Sequence, residues 1–442
     1  MLPKQSTELW QFKKELLEMV FFDEIAHAAV ASKFTIRSRK INPVEFLLTL
    51  VLGFYSKEEP SLSKYHRLYN SLVNPGNRVV YSSFYERFTA DALIFVNECL
   101  NNLMLKQIDC VNAELKGYIR RFHDVLIVDN TIVRVHSKLA DKFPATRTRR
   151  VAAGIKVSVL LSVVGNGPQS VKFYPEKTND AKTLTIGPWV KDMILLMDRG
   201  FFKFASFAKI DDYGGFFVTR LKSNTRAEIT AVDLGIPEKI RDMMAGTDIH
   251  DAIELVKPIK LDIDARVRVR YSPCGKCKDK QALNLRFVAT FNERTGDYHT
   301  YFTNIPEDEL DVREVAALYA ARWDIENLFR EMKSEDLLGR LESKNEYITE
   351  IFVLIPFIRL IIARKLFGTA RNILDASQFK RLKKRLWAIV FAENARRILS
   401  NLMKEIRGLR ATEPWSDIWN TVLLGSTSAH ITRRSFTDNL YL

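Results

Sequence analysis

From residue 124 the chain changes to short β-rich runs, DVLIVD, TIVRVHS, GIKVSVLLSVV and SVKFYP, and no other stretch restricts its possible folds as much. Helical and strand patterns then alternate. DAKTLTIGPWV reads as a helix, MILLMD as a buried strand, FFKFASFAKI as a helix and GFFVTRL as a strand. A three-strand meander followed by helix, strand, helix and strand predicts a mixed sheet flanked by helices, an α/β fold. Residues 222–305 interrupt it with KLDIDARVRVRYS, LNLRFVATFN and TYFTNI, antiparallel strands in which Arg266, Arg268 and Arg270 share a face. This reads as a β-rich insertion, after which a helix bearing Glu326 completes the domain.

The flanks are helical. LWQFKKELLEMV, VEFLLTLVLGFY and ALIFVNECLNNLML mark an N-terminal helical segment, and the breaker NPGN separates two short helices near residue 75. Those two helices suit either a helix-turn-helix, with Ser82, Ser83, Tyr85 and Arg87 on the reading helix, or a plain bundle with a surface loop. The expected division is 1–118 helical and DNA-binding, 119–221 and 306–342 the two parts of the core, 222–305 the insertion, and 343–442 helical. A basic cluster at 380–385 in the last segment reads by default as a solvated helix face.

Composition narrows the partners. The 442 residues carry 67 Lys and Arg against 53 Asp and Glu, a net charge of +14, which favours a polyanion and nucleic acid first. Membrane attachment is excluded by the same reading, because the most apolar run, IFVLIPFIRLIIA at 351–363, is short and contains Pro356 and Arg359. Without a signal-peptide pattern at its start, the chain is expected in the cytoplasm. Four cysteines in this length make no disulfide framework. Cys99 and Cys110 read as core residues. Cys274 and Cys277, at a hairpin tip, favour a plain turn over zinc because no second pair has finger spacing.

The chemistry concentrates on three carboxylates. Asp129 ends the run VLIVD and Asp198 follows MILLM, both at strand ends beside polar turns, where α/β sheets carry their active sites. The third lies in ALYAARWDIENLFREMK, which reads as one helix. At about 100° per residue, Tyr319, Arg322, Glu326 and Lys333 fall in one stripe with Trp323 and Arg330 at its border. Leu318, Ala321, Ile325, Leu328, Phe329 and Met332 fall opposite. Seen alone, such a stripe is equally well a salt-bridged solvated face. Together, two aspartates and a glutamate supply hard oxygen ligands for Mg²⁺ or Mn²⁺, the set that phosphodiester chemistry uses in two-metal sites. No histidine-based array, Ser-His-Asp set or phosphate-binding GxxxxGK[ST] loop competes. Asn130 and Thr131 read as a turn after Asp129. KTNDAKT reads as a helix start with Asp180 a plausible cap.

Asp129, the D-R-G-F at 198–201 and Y-x2-R-x3-E-x6-K resemble the DDE transposases of the IS4 insertion-sequence family, over roughly residues 120–340. The resemblance implies an RNase H-like fold in which Asp129, Asp198 and Glu326 are the catalytic, metal-binding triad, holding two Mg²⁺ ions that Mn²⁺ can replace. It implies that Tyr319, Arg322 and Lys333 hold phosphates of the transposon end. Trp323 suits either stacking on an unpaired base or packing at the helix border. Arg330 and Arg199 are further candidate DNA contacts, Arg199 equally suited to pair with a neighbouring carboxylate. The resemblance also implies cut-and-paste transposition, in which a freed 3′-OH makes a hairpin before strand transfer. The partners are then double-stranded DNA, as terminal inverted repeats and target, and a second copy in a synaptic homodimer joined through the C-terminal helices. Such a protein works on the nucleoid of a bacterium or archaeon. Two alternatives come from other classes. One is an RNase H-like nuclease without strand transfer. The other is a catalytically silent DNA-binding derivative, against which the intact triad argues.

Overall fold

The computed structural model describes residues 6–20, 22–35, 40–53, 61–73, 76–109, 119–146, 152–273, 279–335 and 340–428. Cys110, Cys274 and Cys277 lie outside the described residues. At the centre is a sheet whose first half runs in the order β3-β2-β1-β4-β5. Strands β1 (Asp124–Val135), β2 (Gly154–Ser162) and β3 (Gly167–Pro175) form the antiparallel meander. Strand β4 (Met193–Met197) then lies parallel to β1, and β5 (Phe216–Arg220) parallel to β4 beyond helix α7 (Phe204–Asp212). This order and these directions are the RNase H-like arrangement.

Each face of the sheet has its own core. Val125, Ile127, Ile194, Leu196 and Val218 point to one side, towards the later helices of the chain. Val128, Leu195, Met197 and Phe217 point to the other, towards α7 and the insertion. The alternation is the period-2 pattern of a strand buried on both faces.

The insertion adds β6 (Glu228–Val232), the helices α8 (Glu238–Met244) and α9 (Ile249–Val256), then β7 (Ile263–Tyr271), β8 (Gln281–Asn292) and β9 (Asp297–Thr303). Its strands continue the core sheet as β5-β9-β8-β7-β6. Strand β9 pairs antiparallel with β5 through Val218–Thr303, Thr219–Phe302 and Arg220–Tyr301, covering an edge that would otherwise expose unpaired backbone groups. Arg266, Arg268 and Arg270 share an exposed face of β7, as their spacing predicts.

Three local expectations are corrected. DVLIVD and TIVRVHS form one twelve-residue strand, because pairing with β2 runs unbroken from Leu126 to Arg134 and leaves no turn at Asn130 and Thr131. DAKTLTIGPWV forms two 3₁₀ turns, Asp180–Lys182 and Pro188–Val190, instead of a helix. Its β-branched Thr183, Thr185 and Ile186 disfavour an α-helix, and Gly187 and Pro188 end any that began. The segment around Glu326 is two helices, α10 (Val312–Ala320) and α11 (Trp323–Glu335). At their junction the amides of Ala321, Arg322 and Asp324 bond three residues back, to Leu318, Tyr319 and Ala321, at 3.0–3.1 Å. Such tightened turns recur where a helix is re-aimed.

After β10 (Arg340–Leu341), which pairs with β1, comes α12 (Glu346–Ile373), apolar on every side and buried along most of its 28 residues. Each fully buried Ile, Leu or Phe in it stabilises the fold by about 1.5–3 kcal/mol. It carries the 351–363 run, and no helix among the described residues is long and apolar enough to cross a membrane. The buried Arg359 donates its Nε–H to the Val51 carbonyl at 2.7 Å. Val51 belongs to the N-terminal set α1 (Ser6–Val20), α2 (Phe22–Ala31), α3 (Pro43–Leu52), α4 (Leu62–Leu68), α5 (Tyr81–Tyr85) and α6 (Ala90–Asp109), of which α1, α3 and α6 pack on α12. The last helices are α13 (Ala376–Arg381), α14 (Lys384–Ile406) and α15 (Trp415–Gly425). Phe12 of α1 lies 5.9 Å from the Trp387 ring and stacks on Trp419 at 5.2 Å, so both flanks share one core. In the N-terminal set, α5 presents Ser82, Ser83 and Tyr85 to solvent, while Arg87 just beyond it is half-buried.

Candidate active site

Pairing between the parallel strands β1 and β4 ends at Val128 and Met197. Asp129 and Asp198 are the next residue on each strand and stand side by side, with neighbouring strands about 4.8 Å apart. Asp129 is thus a mid-strand residue of β1 and not its end; the strand end that exposes it is that of its neighbour. Asp198 remains extended, and its carbonyl accepts from Phe201 to close a 3₁₀ turn over Arg199–Phe201. Both side chains share the face of Ile127 and Leu196. Helix α11 covers that face, anchored by Ile325, Leu328 and Phe329 in the same core, and brings Glu326 to the aspartates.

Arg322 stands among the three carboxylates. Its Nη2 donates to Glu326 Oε1 at 2.5 Å, and its Nη1 lies 3.7 Å from Asp129 Oδ2. Burial opposes its charge, but the Glu326 hydrogen bond and the nearby acidic charges outweigh burial and hold the guanidinium above its ordinary pKa. Asp129 is pushed up to about 6, first by burial and further by the charges of Asp198 and Glu326, against the Asn130 N–H and Arg322. Its Oδ1 accepts that N–H at 2.7 Å. Three mutually repelling carboxylates around one guanidinium are a set of hard oxygen donors suited to a divalent cation. In the arrangement seen, no three acidic, His or Cys side chains among the described residues converge on a common cation position. Arg322 places a positive charge among the three carboxylates.

The other sequence-predicted residues divide by exposure. Tyr319 is buried; its hydroxyl donates to the Met197 carbonyl at 3.3 Å, and burial pushes its pKa up to about 12. Trp323 is 57% exposed, with the Arg322 guanidinium 5.8 Å from its ring. Arg199 and Arg330 are exposed, on the turn after Asp198 and on α11. Lys333 falls on α11, but its side chain lies outside the described residues.

Sequence reasoning missed two groups. Arg220, at the end of β5, donates from Nη2 to His299 Nδ1 at 2.9 Å, and its buried Nε finds no partner. It neighbours Tyr301, whose ring lies 5.2 Å from that of Tyr319. The available signal was an arginine closing an apolar strand two positions along the chain from Val218. The second group lies on the reverse face of the sheet. There Asn130 Nδ2 donates to Asp180 Oδ1 at 2.8 Å, and Lys156 Nζ reaches the same oxygen at 2.6 Å. Asp180 is therefore not a cap. The cap is Asn179, whose side chain accepts from the Ala181 amide at 3.0 Å.

Comparison with known proteins gives the family. A family model described as "Transposase DDE domain" matches residues 120–354, more than half of the chain. The transposase for insertion sequence element IS1151 of Clostridium perfringens is 21% identical over 411 residues, covering 85% of each chain. The transposase for IS231E of Bacillus thuringiensis subsp. finitimus is 22% identical over 359 residues, 74% of this chain and 73% of the relative. Among solved structures, the piggyBac transposase synaptic complex with hairpin DNA aligns over 96% of this chain and 87% of its own, at 12% identity and a TM-score of 0.43. A domain that spans both aspartates, the insertion and the glutamate helix leaves one assignment: the chain belongs to the DDE transposases, metal-dependent enzymes of DNA cleavage and strand transfer.

Proposed function

We propose that this protein is an insertion-sequence transposase of the IS4 type. It cuts double-stranded DNA at the element's terminal inverted repeats and joins the freed ends to a target. The observation that carries the reading is the placement of Asp129 and Asp198 on adjacent parallel strands, with Glu326 delivered to the same face by α11. These carboxylates would hold two Mg²⁺ ions, or Mn²⁺ in their place. Bound there, the cations supply activation of the attacking oxygen and stabilisation of the leaving one.

The remaining work falls to the chain's own residues. Cleavage adds a water oxygen to the scissile phosphorus and breaks its bond to the 3′ oxygen, which leaves as a 3′-OH. In the joining step the oxygen of that hydroxyl gives up its proton and bonds to the phosphorus of a second phosphodiester, on the opposite strand to form a hairpin or on target DNA, and the 3′ oxygen of that linkage leaves as a new 3′-OH. Tyr319, tied to the Met197 carbonyl, fixes the α10–α11 junction beside Asp198. Arg322, were the carboxylates held by a cation, would have its guanidinium free to offer to a phosphate. Lys333, Arg330 and Arg199 are assigned to the DNA backbone, where cations position without reading sequence. The exposed Trp323 suits stacking on an unpaired base. Because two ends must be held together, the working form is a homodimer on DNA at the nucleoid, joined through residues 343–442.

The test is a cleavage and joining assay on the inverted repeats that flank the coding region. Wild type is expected to release the element and insert it in Mg²⁺, and Glu326→Ala to do neither; full activity of the variant refutes the site. A pre-cut 3′-OH end supplied with target DNA distinguishes a transposase, which joins them, from a nuclease, which does not.

A further inference from the structure

Behind the two aspartates, on the opposite face of the sheet, a polar network ties β1 and β2 to residues 178–183, which abut the turn after Asp198. Asp180 lies at its centre. Its Oδ1 accepts from Asn130, the residue after Asp129 on β1, and from Lys156 on β2. Lys156 is 7% exposed and its ammonium also donates to the Thr178 carbonyl, so the carboxylate is gripped by a buried charge. Thr183 extends the network to Asn130 at 3.2 Å and to Ser158 at 3.3 Å. On its other side Asp180 presses on the turn after Asp198. A Cβ on Gly200 would meet Asp180 Oδ2 at 2.7 Å, so only glycine lets the turn approach so closely.

One carboxylate thus touches a residue one position after Asp129 and another two positions after Asp198. The aspartates repel each other, and that repulsion acts to separate their strands beyond Val128 and Met197, where backbone pairing has already ended. Asp180 bridges the gap at that level from behind. We propose that Asp180, held by Lys156 and Asn130, is a positioning residue that fixes the separation of Asp129 and Asp198 and so sets the divalent-metal affinity of the site. This rests on the assignment of those aspartates as metal ligands. Partners of this kind, which orient ligands without touching the metal, change metal affinity by about 10- to 100-fold when removed.

The experiment is Mn²⁺ binding to the full-length, DNA-free protein by isothermal titration calorimetry, with thermal unfolding in EDTA to follow the fold. Asp180→Asn keeps the shape but loses the charge that Lys156 grips. It is expected to weaken Mn²⁺ binding about tenfold or more, within the range for such partners. Gly200→Ala perturbs the same contact from the other side and is expected to weaken Mn²⁺ binding in the wild-type background. In an Asp180→Ala background, where the carboxylate is gone, Gly200→Ala should have little further effect. This coupling is one that general loosening of the fold would not produce. Mn²⁺ affinity within twofold of wild type in Asp180→Asn, or additive effects of the two changes, overturns the proposal. Asp129→Ala separates the two levels of the argument. Undiminished Mn²⁺ binding in that variant refutes the ligand assignment itself, whatever Asp180 does.

Discussion

Arg322→Ala should bind divalent metal more tightly than the wild type, although it removes a residue from the middle of the site. The guanidinium donates to Glu326 at 2.5 Å, lies 3.7 Å from Asp129, and is only 11% exposed as a side chain. A hydrogen bond between charged partners of this kind is worth about 1.5–3 kcal/mol net. A cation that takes up the carboxylates must first break it, and the binding energy falls by that amount. Taking about 2 kcal/mol as the part recovered, and 1.4 kcal/mol per tenfold, Mn²⁺ should bind the variant about 30-fold more tightly. The metal-free variant should also be less stable than wild type, since three repelling carboxylates lose their shared counter-charge, and Mg²⁺ should restore more of its thermal midpoint than it adds to wild type. Calorimetric titration with Mn²⁺ and unfolding with and without Mg²⁺ measure both effects. Equal or weaker Mn²⁺ binding by Arg322→Ala would show that the guanidinium does not compete for the cation position, and the reasoning would fail.

Two further outcomes follow from perturbed carboxyls. Burial pushes Asp124 up to about 6 from 3.8, against bonds from Ser162, Val164 and Val125. Its raised folded pKa means a penalty present above pH 6 and gone below 3.8, about 3 kcal/mol at neutral pH. Asp124→Asn, whose amide can satisfy the same neighbours, should therefore be more stable than wild type at pH 7 and lose that advantage by pH 4, as read by thermal unfolding; a variant less stable at pH 7 contradicts this. Asp129, also near 6, must lose its proton to take a cation, so Mn²⁺ affinity should fall towards tenfold per pH unit below about 6. Calorimetry between pH 5 and 7.5 checks this, and a flat profile would remove Asp129 from the ligand set.

The parts legible in the sequence were those with local causes. Apolar runs of strand length gave the core strands, and MILLMD followed by Arg-Gly gave Asp198 at a strand end. The unbroken apolar run at 351–363 gave a buried helix. The placement of Asp129 at a strand end is corrected: Asn-Thr after a strand resembles a turn, yet pairing with β2 carries the strand through it. The break between α10 and α11 has no local signal, since Ala-Ala-Arg-Trp contains no helix breaker. It is imposed from both sides by Tyr319 on the Met197 carbonyl and Arg322 among the carboxylates. Docking of the insertion onto β5, and the gathering of Asn130, Lys156 and Asp180, depend on partners tens of residues apart. Spacing within a single segment contains no record of such pairings.

The shared packing of the two flanks also constrains how the chain can be made. The rings of Trp387 and Trp419 that enclose Phe12, and the Arg359 that reaches the Val51 carbonyl, are all synthesised after the whole catalytic core. At translation rates of about 5–20 residues per second, the first helices wait roughly 15–80 seconds before the surfaces that bury them exist. During that interval their apolar faces are open to chaperones, to one another and to neighbouring nascent chains. A message cut short before α14 would yield a product with Asp129, Asp198 and Glu326 encoded but its N-terminal helices unhoused.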